Sequence, residues 1–526
     1  MLDSINICFE YFLINEKVQM VTDHINFKKY EYFNNILLDT LNNWSIKDGI
    51  DTTLYKNVSI GKAINFEFRS AKVSALQVIF MLFSFDNMKK HLTFFVSKSY
   101  VFDPDIKVIL DSLNINYEIV QLNKESTSFL LKPAVNKQTS ILKECIRSLI
   151  YKTNNFLKKD VESRTLFQTY HSTKDLVPYF NNKFAVDVIP NSINKVLSNS
   201  SVLYLNLILY RQSEKTLDFP LLKERSIPSI IKLLVEKYYK NIEKDIKKNI
   251  DSFKEALSRN KIQNVVLMSD VPTSSSIVTQ LIHYMNGKVY LLNHGVRDYS
   301  HTSICHNLNE VDGVFCWSKY EYDTFNALNI KSIKSGYPIF LEKSESPRKQ
   351  KIDKNSKILF LPEFHAEYWE TCPKKGVNDL LEVVNSLLIE GYSKENIFVK
   401  IHPGAYNIKF FEELLCDLIP LKNLYQKESI YDVIKSVDIV IGPYSTTVYE
   451  TIFLGKPYFA YSSYNNIYAD SIFNTVDLPI FYTIDALIDG LNNFKLLNIE
   501  KLKKELLYQI SYKEMAEIIS KEVNNE

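Results

Sequence analysis

The sequence predicts an α/β protein built on two doubly wound parallel sheets. Two observations carry this. From residue 262 to about 340, and again from about 357 to 490, short apolar runs alternate with helical patterns at the spacing of parallel βαβ units. Between the two series, residues 342–357 read EKSESPRKQKIDKNSK, a polar stretch with Ser and Pro that reads as a linker. The expected division is 1–345, with 1–75 as an extra element, then 346–495, then a C-terminal helix over 496–526.

Residues 1–75 are aromatic-rich and give one clear pattern, a helix near Tyr30 to Trp44. The uncharged run Ala75–Phe85 falls far short of the ~20 residues that span a bilayer, so it reads as a buried strand or helix. Strand-like runs follow at Leu92–Val96 and Val202–Leu209, and residues 229–257 carry a Lys-rich helix pattern. The first αβ series has strands at Asn264–Met268, Lys288–Leu292 and Gly313–Trp317. Its helices fall at Ser274–Met285 and Tyr320–Leu328, with a short strand before Gly336. The second series has strands at Lys357–Leu361, Ile397–Ile401, Val437–Ile441, Tyr458–Tyr461 and Ile480–Tyr482, with helices centred near 383, 412, 432, 449 and 488. A last helix over Ile499–Val523 gathers Leu502, Leu506, Ile510, Met515, Ile518 and Ile519 on one side, with Lys501, Lys503, Lys504 and Lys513 among them, and is expected to pack back onto its own protein, a membrane-surface helix being the alternative. Two such domains face a cleft, and ligands of open α/β sheets sit beyond the carboxyl ends of the strands.

Composition excludes several functions. The chain has 12 glycines among 526 residues, where ~7% is usual. No GxG and no GxxxxGK[ST] occurs, which removes the dinucleotide fingerprint and the P-loop. With 63 basic and 61 acidic side chains the net charge is +2, so a polyanion-coating protein is a poor reading and no nucleic-acid partner is expected. Cys8, Cys145, Cys305, Cys316, Cys372 and Cys416 form no CxxC pair, which fits a reducing compartment. The N-terminus, MLDSINICFEYFLINEK, lacks a basic n-region and a small-residue cleavage site, so a cytoplasmic protein is expected.

Four segments carry candidate chemistry. In IFVKIHPGAY, residues 397–406, a strand runs into His402 and Pro403 breaks it, placing an imidazole at the strand's carboxyl edge where it can donate to a phosphate oxygen. In VDIVIGPYSTTVYETIFLGKPYFAY, residues 437–461, Ser445 is an expected N-cap and Thr446 and Thr447 open a helix. Free amides and hydroxyls there suit an anion. Ordinary capping explains Ser445 but not three consecutive hydroxyl residues. Glu450 lies one turn after Thr446, beyond the position of a capping-box acid; it can accept from ribose hydroxyls, or it can belong to a solvated helix face. In NVVLMSDVPTSSSIVTQ, residues 264–280, Asp270 ends a strand as either a cap-region residue or a carboxylate in the cleft. In KVYLLNHGVRDYS, residues 288–300, His294-Gly295 follows a strand directly, so Asp270 and His294 form a candidate acid–base pair.

Two other groupings suggest metals. Asp103-Pro104-Asp105 has a DxD form, but Asp103 as N-cap with Pro104 at the first helical position explains it. His301, Cys305, His306 and Cys316 match no usual zinc spacing, and Cys316 sits in the apolar run VFCW. Neither grouping is taken as a metal site.

Over residues 262–482 the ordered set resembles the GT-B-fold bacterial glycosyltransferases of capsule and lipopolysaccharide synthesis, most nearly those using CMP-activated ulosonic acids: sialyl-, Kdo- and pseudaminic acid transferases. The resemblance rests on His402-Pro403 and on Ser445, Thr446 and Thr447, which in that group serve the CMP moiety. His294-Gly295 matches an HG dipeptide of related capsule enzymes, and Asp270 their upstream acid. The acidic D/E-D/E-G motif of several sialyltransferase families is not visible. The same layout also resembles CDP-glycerol and CDP-ribitol transferases, though here Ser-Thr-Thr stands in place of their serine pair. An inactive scaffold or sugar-binding partner in a capsule complex is a third reading.

The resemblance implies two Rossmann-like domains in a GT-B-like arrangement: an acceptor-side domain to 345 and a nucleotide-binding domain over 346–495. It implies a metal-independent transfer with no cofactor beyond the CMP-sugar donor. His402, Pro403, Ser445, Thr446, Thr447 and Glu450 would bind the nucleotide, and Asp270 and His294 would serve catalysis, inverting or retaining. The partners implied are a nucleotide sugar, an oligosaccharide or glycolipid acceptor, and a peripheral contact with the inner membrane.

Overall fold

The computed structural model describes residues 4–9, 13, 17–26, 29–85, 91–98, 100, 102–123, 149, 164–168, 174–180, 184–187, 203–204, 226–293, 295, 310–347, 352–362, 373–402, 408–443, 445–461 and 475–524. The N-terminal part holds β1 (Ser4–Cys8), β2 (Gln19–Met20), α1 (Tyr30–Asn43) and two tight hairpins, β3 (Ile46–Lys47) with β4 (Ile50–Asp51) and β5 (Leu54–Tyr55) with β6 (Val58–Ser59). Then come α2 (Ile60–Ala63), α3 (Asn65–Ala71), α4 (Val73–Ser84), β7 (His91–Val96), α5 (Pro104–Ser112) and β8 (Tyr117–Gln121). The run Ala75–Phe85 is thus mostly the buried helix α4. Its strands form a parallel sheet of order β2-β1-β7-β8, an extra sheet beyond the two expected.

The middle part contains β9 (Thr165–Gln168), β10 (Phe184–Asp187), β11 (Leu203–Tyr204), the 33-residue α6 (Ile227–Arg259), β12 (Asn264–Leu267), α7 (Thr273–Tyr284) and β13 (Lys288–Leu292). It closes with β14 (Gly313–Cys316), α8 (Lys319–Ala327), β15 (Ser332–Lys334) and α9 (Pro338–Glu342). The run expected at Val202–Leu209 is a strand only at Leu203–Tyr204 among the described residues. The sheet is parallel, in the order β11-β10-β9-β12-β13-β14-β15. Strands β12 to β14 are apolar and buried, as central parallel strands are when helices cover both faces. Before β13, a Cβ on Gly287 would fall 1.6 Å from the Gln263 carbonyl oxygen, so this turn admits only glycine.

The third part repeats the architecture with β16 (Ile358–Phe360), α10 (Pro373–Ile389), β17 (Ile397–Lys400), α11 (Ile408–Leu415), β18 (Leu424–Tyr425), α12 (Ile430–Lys435) and β19 (Ile439–Gly442). It continues through α13 (Thr447–Phe453), β20 (Tyr458–Tyr461), β21 (Ile480–Phe481) and α14 (Ile484–Asn492). Its sheet is parallel, in the order β18-β17-β16-β19-β20-β21. The two large sheets are the pair of doubly wound, Rossmann-like units expected, and the order reverses around β16 as the chain crosses from β18 to β19.

One expected element is corrected. The last helix is two, α15 (Ile499–Leu506) and α16 (Tyr512–Asn524). The break is a built feature. Leu507 is extended, the Tyr508 amide donates to the Trp317 carbonyl at 2.8 Å, and Ser511 and Glu514 form a capping box that restarts the helix. The end does pack back onto the middle sheet, where Asn264 Nδ2 donates to the Val523 carbonyl at 2.8 Å.

Asp103 accepts the Asp105 amide at 2.8 Å with Pro104 opening α5, as the capping reading expects. The buried Asp105 lies between Lys72 Nζ at 2.8 Å and Lys237 Nζ at 2.6 Å. Cys316 is buried in β14; His301, Cys305 and His306 lie outside the described residues. No helix among the described residues is long and apolar enough to cross a membrane.

Candidate functional site

The third part supplies one wall. Strand β17 ends at Lys400, and His402 follows it, exposed; Pro403 lies outside the described residues. Strand β19 ends at Gly442, where a Cβ would fall 2.6 Å from the Tyr458 hydroxyl and 3.0 Å from Leu361 Cβ. Glycine there lets the Tyr458 hydroxyl sit under the turn, donating to the Pro443 carbonyl at 2.7 Å and lying 3.4 Å from Thr447 Oγ1. Ser445 Oγ accepts the Thr447 amide at 3.3 Å and is hydrogen-bonded to Thr447 Oγ1. The helix proper starts at Thr447 with Thr446 as its flanking residue, one residue later than the sequence suggests. All three hydroxyl residues are half-buried.

The middle part supplies the other wall. Asp270 follows β12 and is 3% exposed. The residue flanking α7 is Pro272, and Glu67 of α3 accepts the Thr273 amide at 2.9 Å, so a distant carboxylate closes this helix start. His294 lies outside the described residues, but its neighbour Gly295 is placed. A Cβ on Gly295 would lie 3.5 Å from Thr446 Oγ1. The turn after β13 and the turn after β19 therefore meet, one from each large sheet.

Glu450 is only half-buried at its surface, yet its environment is poor in water. Burial pushes its carboxyl up from 4.5 to about 7, against the opposing pull of Lys343 and Lys400. Lys400 is 5% exposed and donates to the Gln426 carbonyl at 2.9 Å. Burial lowers its pKa, while Glu428 and Glu450 hold it up. Lys343 lies over the Tyr431 ring at 3.6 Å. Sequence reasoning missed both lysines. Lys400 left a signal, a charge ending the apolar run IFV just before His402; Lys343 sits in the linker and left none.

Aromatic packing fixes the two walls together. Tyr449 of α13 meets Trp317 edge-on at 5.6 Å and stacks on Phe340 of α9 at 5.4 Å, while Trp317 stacks on Tyr337 at 4.0 Å. Thr446 and Glu450 flank Tyr449 on a helix pinned to the middle part.

The raised Glu450 carboxyl has a pH signature. A carboxyl whose folded pKa exceeds its unfolded value contributes stability that is full below about 4.5 and lost as pH rises through about 7. Glu450→Gln lacks this titration. Its stability relative to wild type should rise by about 1–3 kcal/mol between pH 5 and 8. Urea midpoints across that range check it; parallel curves for the two proteins would mean that Glu450 is fully hydrated.

No family model matches the chain, and no curated protein matches its sequence. Solved structures similar to it include UDP-GlcNAc 2-epimerase from Neisseria meningitidis bound to UDP-GlcNAc, at 14% identity and TM-score 0.41, covering 69% of this chain and 99% of that one. The lipopolysaccharide outer core galactosyltransferase WaaB, in its apo form, is similar at 11% identity and TM-score 0.41, covering 69% and 99%. A variant of the wall teichoic acid polymerase TagF is similar at 12% identity and TM-score 0.37, covering 74% and 96%.

Proposed function

We propose that this chain is a glycosyltransferase that moves an ulosonic acid from a CMP-activated donor to a surface-polysaccharide or glycolipid acceptor. The observation that carries the reading is the meeting of Gly295 and Thr446, which puts the HG and Ser-Thr-Thr turns on one gap. Ligands of such sheets occupy that position. In this reading an acceptor hydroxyl oxygen attacks the anomeric carbon as the carbon–oxygen bond to the CMP phosphate breaks. The phosphate keeps the bonding pair. The hydroxyls of Ser445, Thr446 and Thr447, with His402 and Lys400, stabilise the departing charge. In an inverting reaction Asp270 or His294 takes the acceptor's proton; in a retaining one Asp270 is a nucleophile.

A thermal-shift panel of CMP, CDP, UDP, GDP and ADP tests the donor. Saturating CMP, at about 100 times its dissociation constant, should add about 2.7 kcal/mol and exceed UDP and GDP. A larger shift with UDP removes the cytidine reading. A larger shift with CDP than with CMP moves it to polyol-phosphate transfer.

A further inference from the structure

Helix α7 takes the acceptor for its first amide from another part of the chain. Its flanking residue is Pro272, which makes no side-chain hydrogen bond to the helix. A helix start exposes amides that need acceptors. Glu67 of α3 takes the Thr273 amide on both carboxylate oxygens, at 2.9 and 3.1 Å, and also accepts from the Thr273 hydroxyl. Thr273 is 1% exposed, so water competes little for this charge-assisted contact.

A second contact fixes how the two segments lie. The Ser59 amide donates to Gln280 Oε1 at 2.7 Å, and Gln280 Nε2 donates back to the Ser59 carbonyl at 3.3 Å. Thr273 and Gln280 stand seven residues apart, about two turns along one face of α7. The segment Ser59–Glu67 therefore runs antiparallel along that face and clasps it at both ends. The segment is itself held. Phe68, next to Glu67, is fully buried and meets the Tyr238 ring of α6 edge-on at 5.7 Å, and Lys62 pairs with Glu310 just before β14.

Asp270 lies three residues before Thr273, in the turn from β12 to α7. One end of this turn is fixed by the sheet, where β12 pairs with β9 and β13. The other end is the start of α7, where Glu67 is bonded. We infer that Glu67 is a positioning residue for Asp270: through Thr273 it holds the turn that carries the Asp270 carboxylate. The N-terminal part then belongs to the working site rather than standing beside it. The inference rests on the role proposed for Asp270 in transfer. A displacement of about 1 Å at a reacting group can cost about 10²-fold in rate, so losing the clasp should be read in turnover.

The first measurement needs no substrate. Hydrogen exchange of the full chain, followed on peptides covering residues 268–276, should be about tenfold faster in Glu67→Ala, with peptides of the third part unchanged. Glu67→Gln keeps an acceptor oxygen of the same reach and should exchange nearly as wild type does. The second measurement is single-turnover consumption of CMP-N-acetylneuraminic acid or CMP-Kdo. Glu67→Ala should lower the rate by about 10- to 100-fold with the CMP dissociation constant unchanged, and Glu67→Gln should restore most of it. In an Asp270→Asn background, Glu67→Ala should add less than about twofold, because its effect passes through Asp270. Should Glu67→Ala melt early, Thr273→Val removes the hydroxyl half of the contact and carries the same comparisons. Wild-type exchange or wild-type turnover in Glu67→Ala overturns the inference, as does a rate loss equally large in the Asp270→Asn background. Normal turnover in Asp270→Asn alone is a different result: it removes the role of Asp270, and the positioning role with it, even where exchange shows the clasp. If wild type consumes neither donor, the CMP-sugar reading fails, and exchange alone decides whether Glu67 holds the turn.

Discussion

Asp270→Asn is expected to cut turnover by about 10²–10⁴-fold, the usual contribution of a positioned acid–base group. Asp270 is 3% exposed and follows β12, the strand paired with β13. Pro272 flanks α7 and Glu67 takes the Thr273 amide. The Asn side chain keeps the size and one acceptor oxygen but neither accepts a proton nor attacks as a nucleophile. In the proposed reading nucleotide binding is served from the other wall and should stay near wild type. Single-turnover donor consumption beside calorimetric titration with CMP separates the two effects. Near-normal turnover in Asp270→Asn would assign Asp270 to structure alone. A matching fall in CMP affinity would place it on the nucleotide instead.

The two large sheets were legible because their strands are short, buried and apolar, and each is followed closely by its own helix. IVIG after Asp438 and YLL after Val289 are read without ambiguity. Of the N-terminal sheet β7 was legible, as the run Leu92–Val96, but β1 and β2 were not, for a physical reason. β2 is two residues long, and β1 pairs Ser4 with His91, a partner far down the chain, so no local spacing announces either strand. The split of the final helix was present in Ser511 and Glu514 as a capping box. The apolar spacing from Leu502 to Ile519 runs on through the break and hid it.

The site divides in the same way. His402, Ser445, Thr446, Thr447 and Asp270 were legible as candidates because a residue at a strand's end is visible in sequence. What packs beneath them is not. Tyr458 supports the Pro443 turn from the next strand, and Lys343 reaches Glu450 from the linker; both arrive through tertiary structure. Glu450 itself was read for its position on the helix, but its shifted titration comes from burial that only the packed structure supplies.

Tyr449→Ala should cost about 3–5 kcal/mol of stability, the range for removing a large buried aromatic ring. Tyr449 is 1% exposed and contacts rings on two elements of the middle part, Trp317 after β14 and Phe340 in α9. Trp317 is held by its stack on Tyr337 at 4.0 Å, which limits collapse into the space. The loss should also reach the wall proposed to hold the nucleotide. Helix α13 is only seven residues long, and Tyr449, with Phe453 at 6.1 Å from Phe340, holds it to the middle part. With the ring gone, Thr446 and Glu450 lose their fixed distance from Gly295, and CMP affinity should fall along with stability. Tyr449→Phe keeps all the ring contacts and should bind CMP as wild type does. Urea midpoints and CMP titrations on the three proteins check both parts. If Tyr449→Ala unfolds early but binds CMP with wild-type affinity in the folded fraction, the aromatic cluster stabilises the chain without positioning the site. If Tyr449→Phe loses as much affinity as Tyr449→Ala, the hydroxyl rather than the ring does the positioning.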